Sequence, residues 1–240
     1  MTTTNTPIRH LARVFLRKPP PFADDNELVG ELSSALGDQN LQVLLSRQVH
    51  VPTGNSFEGK MLQAPPWSIN MTHESVDLEY RHAPGNVFET SEFVATASIV
   101  LGLIMAKSKR KSTRLALISE TLKSYDSDSE EDLDKLGDRL IGPPELLAST
   151  FEWDWRCAAR VPHDVCGVTE VTNTIATVKR LAGQVNGVEF DGTLTSFDIN
   201  TSPDNSLERF GVPEVEAFYT NSSEWTAELM VAVAQRMADG

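Results

Sequence analysis

Trp67-Ser68-Ile69-Asn70-Met71 and Val76-Asp77-Leu78-Glu79-Tyr80, with Thr72-His73-Glu74-Ser75 between them, decide how this chain folds. In both stretches apolar residues alternate with polar ones, the period of a half-buried β-strand. A turn over Thr72 to Ser75 sets Met71 opposite Val76, Ile69 opposite Leu78 and Trp67 opposite Tyr80. All six then share one face, and a slip of one residue would split the apolar set. An antiparallel hairpin with one buried face is the starting point.

Working outward, Ile8 to Arg17 predicts a strand stopped by Pro19, Pro20 and Pro21. Asp24 or Asp25 then caps a helix whose stripe is Leu28, Leu32, Ala35 and Leu36. Leu41 to Val51 places most of its apolar residues on odd positions and predicts a strand. Thr53 to Pro66, with Gly54, Gly59 and Pro65, predicts a loop. Beyond the hairpin, Thr90 or Ser91 caps an apolar helix that runs to Ala106.

The second half repeats this order. Arg114 to Leu122 reads as a strand, and Ser127 or Asp128 caps a helix lined by Leu133, Leu136 and Leu140. Phe151, Trp153, Trp155, Cys157, Ala159 and Val161 alternate with Glu152, Asp154, Arg156 and Arg160, the strongest strand signal in the chain. Val171 to Lys179 is its hairpin partner, Leu194 to Asn200 a further strand, and a helix from Ser223 carries Trp225, Leu229, Val233 and Met237. The expected fold is α+β: two similar strand-helix-three strands-helix halves, with helices on one face of a mostly antiparallel sheet. The halves span 8–107 and 113–240, as two units or one continuous domain, after a disordered N-terminus over 1–7.

Composition narrows the function classes. The formal net charge is −13, which repels phosphate backbones and anionic lipid, so nucleic acid and membrane are disfavoured partners. Phe93 to Ala106 is apolar but shorter than the roughly 20 residues needed to cross a bilayer. Met1 to Pro7 has no signal-peptide character, and with two cysteines, Cys157 and Cys166, the chain reads as reduced and cytoplasmic.

Catalytic signatures are absent: the sequence contains no Gly-x-Ser-x-Gly, no Walker loop and no Gly-x-Gly-x-x-Gly. His163-Asp164-x-Cys166 is the one cluster of mixed metal-ligand types, and it falls where a polar hairpin tip is expected. Asp198 and Asp204 are the carboxylates on which a metal-assisted enzyme would rest, although turns use the same residues. Lys107, Lys109, Arg110, Lys111 and Arg114 form a basic block, followed by the acidic Asp126, Asp128, Glu130, Glu131, Asp132 and Asp134. Cations at a helix end and anions at a helix start both suit the helix dipole, and the two blocks could neutralise each other. The acidic block, with Trp153 and Trp155 if the sheet leaves them open, is the candidate partner-binding surface.

Arg114-Leu115-Ala116-Leu117, Phe197-Asp198-Ile199 and the closing helix from Ser223 resemble a sporadically distributed, functionally uncharacterised bacterial family. The resemblance implies a prokaryotic cytosolic setting and a mixed fold, and no activity. The first function expected is therefore an acidic protein-binding subunit, antitoxin-like, immunity-like or an assembly partner, that holds another protein, basic if charge decides, without a cofactor. The alternatives are a metal-assisted enzyme at Asp198 and Asp204, and a structural homo-oligomer subunit.

Overall fold

The computed structural model of the chain describes residues 4–17, 26–50, 55–83, 88–125, 130–142, 152–185 and 188–238. The fold is mixed α+β and mostly sheet. In chain order the elements are β1 (Thr4–Phe15), α1 (Asn26–Ala35), β2 (Gln42–His50), β3 (Asn55–Ala64), β4 (Trp67–Met71), β5 (Ser75–Arg81) and α2 (Thr90–Ser108). There follow β6 (Arg114–Tyr125), α3 (Glu130–Ile141), β7 (Asp154–Val165), β8 (Val168–Val185), β9 (Val188–Thr201) and α4 (Val212–Ala238). All nine strands join one antiparallel sheet in the order β2-β3-β4-β5-β1-β6-β9-β8-β7.

The hairpin forms in the expected register. Met71 pairs with Val76, Ile69 with Leu78 and Trp67 with Tyr80, and all six are buried. Trp67 and Tyr80 meet edge to face at 4.8 Å, a geometry that adds to area burial because ring edges and faces carry opposite partial charge. The chain reverses over Thr72 to Glu74, where the Ser75 backbone N–H donates to Thr72 Oγ1 at 2.9 Å.

Several expectations need correction. Thr53 to Pro66 is not a loop: β3 occupies most of it, with Gly59 paired to Ser46 in mid-strand. The first half therefore reads strand, helix, four strands, helix. β2 forms where expected, yet Val43 and Leu45 on its odd positions are 50% and 79% exposed. An edge strand beyond the reach of the helices gains nothing from alternation. β1 begins at Thr4, inside the stretch expected to be disordered, because Thr4 to Thr6 pair with β6 at Ser124 to Leu122. The N-cap of α2 is Glu89 rather than Thr90 or Ser91; the Glu92 carboxylate accepts the Glu89 backbone N–H at 3.2 Å. α4 starts at Val212, well before Ser223. Pro213 suits its first turn, and the Gly211 N–H donates to the Glu214 carboxylate at 2.7 Å.

Two hydrophobic clusters hold the layers together. The larger joins Ala12, Val14, Ile69, Leu78, Leu115, Leu117 and Ile199 of the sheet to Leu28 and Leu32 of α1, Phe93, Leu101 and Ile104 of α2, and Phe218 and Tyr219 of α4. Each Val, Leu, Ile or Phe side chain among them contributes about 1.5–3 kcal/mol through the apolar area it removes from water. By length and composition α2 could cross a membrane, but Phe93, Ala97, Val100, Leu101 and Ile104 are all fully buried in this core. The smaller cluster joins Leu136 and Leu140 of α3 to Trp153, Ala176, Val178, Phe197 and Val233.

Two buried details make the fold sensitive to substitution. At Gly192 on β9 an added Cβ would lie 2.5 Å from the Lys123 carbonyl oxygen of β6, a backbone atom that cannot yield alone. His10 is buried, its Nδ1 3.0 Å from Ser119 Oγ and its Nε2 3.2 Å from the Phe88 carbonyl oxygen. A carbonyl can only accept, so Nε2 carries the proton and Nδ1 accepts from the serine. Burial lowers this imidazole from the usual 6.5 to about 4.

Gly192→Ala is expected to lower the free energy of unfolding by about 1–3 kcal/mol through forced separation of β6 and β9. A urea midpoint equal to that of the parent would remove the argument. For His10 the folded state favours the neutral ring, so its contribution is complete above pH 6.5 and is lost as pH falls towards 4, about 3 kcal/mol in all. Urea titrations at pH 7 and pH 4 should show His10→Gln losing less stability than the parent by that order. Identical losses would mean that His10 does not govern the acid limb.

Candidate functional site

Alternation in the central strands leaves a second row of side chains that belongs to neither cluster. On β1 it is Arg9, Leu11 and Arg13, and on β6 Arg114, Ala116, Ile118 and Glu120. The registers set Leu11 beside Ile118, Arg13 beside Ala116, and Ile118 beside Asp198 of β9. Chemically the row is a lattice of ion pairs around a small apolar centre.

Arg13 grips Asp77 with two hydrogen bonds, at 2.7 and 2.6 Å, and the pairing raises its pKa. Arg9 grips Glu120 in the same bidentate way, at 2.7 and 3.0 Å, and lies 3.6 Å from Glu79, which also takes Arg81 at 2.9 Å. The fork of a guanidinium matches the two oxygens of a carboxylate, so these pairs fix orientation as well as charge. Arg114 donates to Asn200 Oδ1 at 2.7 Å, and Asn200 in turn donates to Asp198 at 2.8 Å. Burial pushes the Asp198 carboxyl up, opposed by Asn200 and by the nearby Arg114, Arg13 and Arg156. Arg13 and Arg114 flank the Phe15 ring, 5.5 and 4.8 Å from its centre.

This arrangement can recognise charged and planar groups on a second surface. Of the two candidate catalytic carboxylates, Asp198 belongs to this row, and Asp204 is exposed and pairs with Arg160 at 2.9 Å. Among the described residues no group of three His, Cys, Asp or Glu side chains could hold a metal ion. The His163-Asp164-x-Cys166 cluster is the tip of the β7–β8 hairpin. Cys166 and Gly167 have φ of 56° and 79°, the two-residue turn that matches strand twist, and Asp164 Oδ1 accepts the Gly167 N–H at 3.0 Å. His163 stacks on Trp225 of α4 at 3.9 Å and so packs rather than ligates. Both cysteines are free and exposed.

The expected partner surface is divided by the structure. Asp126 and Asp128 lie outside the described residues, and Glu130, Glu131 and Asp132 start α3 with side chains that also lie outside them. Asp134 is half-exposed and accepts from Arg180 at 2.8 Å. That guanidinium is only 4% exposed and also takes Asp191, so Asp134 ties α3 to the sheet. Trp153 is buried in the smaller cluster and does not line a groove; a Cβ on Gly137 of α3 would lie 2.8 Å from its Nε1. Trp155 is half-buried and packs against the same cluster. The basic block does not neutralise its acidic neighbour at Lys107, which reaches Glu27 and Glu31 of α1 at 3.3 and 3.2 Å. The arginines of the polar row were legible only as the partners of an apolar alternation: His10, Ala12 and Val14 face inward, so Arg9, Leu11 and Arg13 face the other way.

If Asp134 serves the fold and Arg180 is its buried anchor, the two should respond unequally. Arg180→Ala is expected to cost about 3 kcal/mol because it strands carboxylates beside a buried site, and Asp134→Ala less than about 1 kcal/mol. Chemical denaturation of both variants checks this, and equal costs would contradict it.

No family model, no curated protein and no solved structure matches the chain, so its functional reading rests on its own residues.

Proposed function

We propose that this chain is an acidic cytoplasmic subunit that binds another protein, in the manner of an antitoxin, an immunity protein or an assembly partner. In this reading the fold consists of two similar halves with their helices on one face of the sheet, and the opposite face receives the partner. The strand order supports the halves. Outward from the β1–β6 pair each block runs through its last strand and back to the strand that follows its first helix.

The observation that carries the reading is the polar row itself. Arg9, Arg13, Asp77, Glu79, Arg114, Glu120 and Asp198 surround the half-buried Ile118, beside which Leu11 and Ala116 lie buried, and none of them joins a core cluster. A small apolar centre ringed by paired charges resembles the anatomy of a protein interface, where the centre excludes water and the ring sets specificity. Three arginines against four carboxylates leave the row close to neutral. The surplus of acid falls elsewhere, including the exposed Glu216, Glu224 and Glu228 of α4, where it would steer a cationic partner towards the molecule.

A tagged pull-down from the native host with mass spectrometry tests this, paired with Ser196→Arg and Thr177→Arg. These neighbouring half-buried positions lie in the same row, beside Glu120 and Asp198. A stoichiometric, basic partner is expected, with its capture cut roughly tenfold or more by the double substitution while the melting temperature holds. A chain that emerges alone, or a partner indifferent to both arginines, would overturn the proposal.

A further inference from the structure

β7 forms one outer edge of the sheet, and its backbone groups fall into two sets. The Arg180 N–H donates to the Trp153 carbonyl, and the β7–β8 register runs unbroken from Asp154↔Lys179 to Val165↔Val168. Odd-numbered residues of β7 therefore bond to β8, and Asp154, Arg156, Ala158 and Arg160 direct N–H and C=O away from the sheet. The far side of β8 agrees: the carbonyl of Val171, opposite Pro162, accepts from Ser202 instead. Exposure along β7 is correspondingly high from Arg156 to Arg160.

We propose that this edge pairs with the same edge of a second copy of the chain, antiparallel and centred on Cys157. The proposal concerns the outer strand and stands apart from the partner-binding face. Charge complementarity argues for a second copy as the occupant and against the two adjacent registers. With Cys157 opposite its twin, Asp154 lies opposite Arg160 on both sides of the axis and Arg156 lies opposite Ala158. Each of these pairs exchanges two backbone hydrogen bonds. A shift of the axis to residue 156 sets Arg156 against Arg156, and a shift to 158 sets Arg156 against Arg160; like charges directly opposite are destabilising. Pro162, which has no N–H to give, falls beyond the paired run. On the other side of the strand, half-buried Trp155 covers exposed Ala159 of the second copy. Arg160 already meets Asp204 of its own chain, an exposed pair of little net worth that leaves the guanidinium able to bridge to a second carboxylate.

One strand pair buries less than the roughly 1,200 Å² of a standard interface, so the dimer is weak and depends on concentration. The register itself makes it testable. Directly opposed residues that do not share ladder hydrogen bonds have Cα atoms about 4.5 Å apart, within disulfide range. Cys157 therefore meets its twin at bonding distance.

The experiment is diamide oxidation of the full chain in a Cys166→Ser background at high-micromolar protein, followed on non-reducing gels. Diamide takes the two electrons and two protons that the thiols release. The expected product is a covalent species of twice the 26.4 kDa chain mass. Arg160→Asp should slow its formation roughly tenfold or more, and Asp154→Arg in the same chain should restore it. Asp204→Ala, which removes the partner of Arg160 within the chain, should not slow it. Moving the cysteine, as Cys157→Ser with Ala159→Cys, should cross-link far more slowly, because residue 159 faces 155. Cross-linking that ignores both charge and position would mark random collision and overturn the register. A sedimentation profile that stays monomeric at millimolar concentration would overturn the dimer.

Discussion

Among the described residues, β1 and β6 are the only strands whose pairing joins the residues before α2 to those after it within the sheet. Their ladder runs from Thr4↔Ser124 to Phe15↔Arg114, interrupted by one irregularity between Pro7 and Arg9. The ladder is pinned from within the core by one side chain. Tyr219 of α4 donates its hydroxyl to the Arg13 carbonyl at 2.8 Å and lies 3.4 Å from the Ala116 carbonyl, so it touches both strands where Arg13 and Ala116 lie opposite each other. Burial pushes the Tyr219 phenol well above its usual range, so it stays protonated as a donor at neutral pH. On the opposite side Arg9 and Glu120 bind the same two strands together by a bidentate pair. The seam is thus fastened on both faces, and the polar row and the helical core are two sides of one constraint.

Strands with one buried face could be read from the chain residue by residue, because alternation there reports a physical asymmetry. The β4–β5 hairpin formed in its expected register, and β7 turned at the expected place. β3 escaped notice because Gly59 and the flanking Gly54 and Pro65 look like loop chemistry. What makes Asn55 to Ala64 a strand is the pairing with β2 and β4 on its two sides, which no local pattern contains. The first turns of α4 were missed for a related reason. Val215, Phe218 and Tyr219 are buried against elements far away in sequence, while the local polar residues Thr220 to Ser223 resemble a helix start.

The candidate site was less legible than the fold. Charge runs along the sequence drew attention to the acidic block, yet the described member, Asp134, is spent on Arg180 within the fold. The lattice of the polar row has the opposite character: Arg9 and Glu120, or Arg13 and Asp77, are isolated in sequence and meet only because strands far apart in the chain lie side by side. Burial of Trp153 has the same lesson in reverse. An aromatic on a strand reads equally as core or groove until the element above it is known, and here that element is α3, with Gly137 shaped to the indole.

The span of the seam also shapes how the protein comes into being. During vectorial synthesis β1 can meet β5 as soon as the first half is made, but its other edge faces β6, whose Glu120 lies 111 positions after Arg9. Until then the nascent first half carries an open central strand, with the Ala12 and Val14 side not yet covered by α4. Long-range antiparallel closure is slow compared with local helix formation, and unpaired strand edges invite foreign pairing. α4 follows every described strand in the chain and carries the tyrosine that fastens the seam, so the sheet gains that cohesion only after β6 and β9 have both been synthesised.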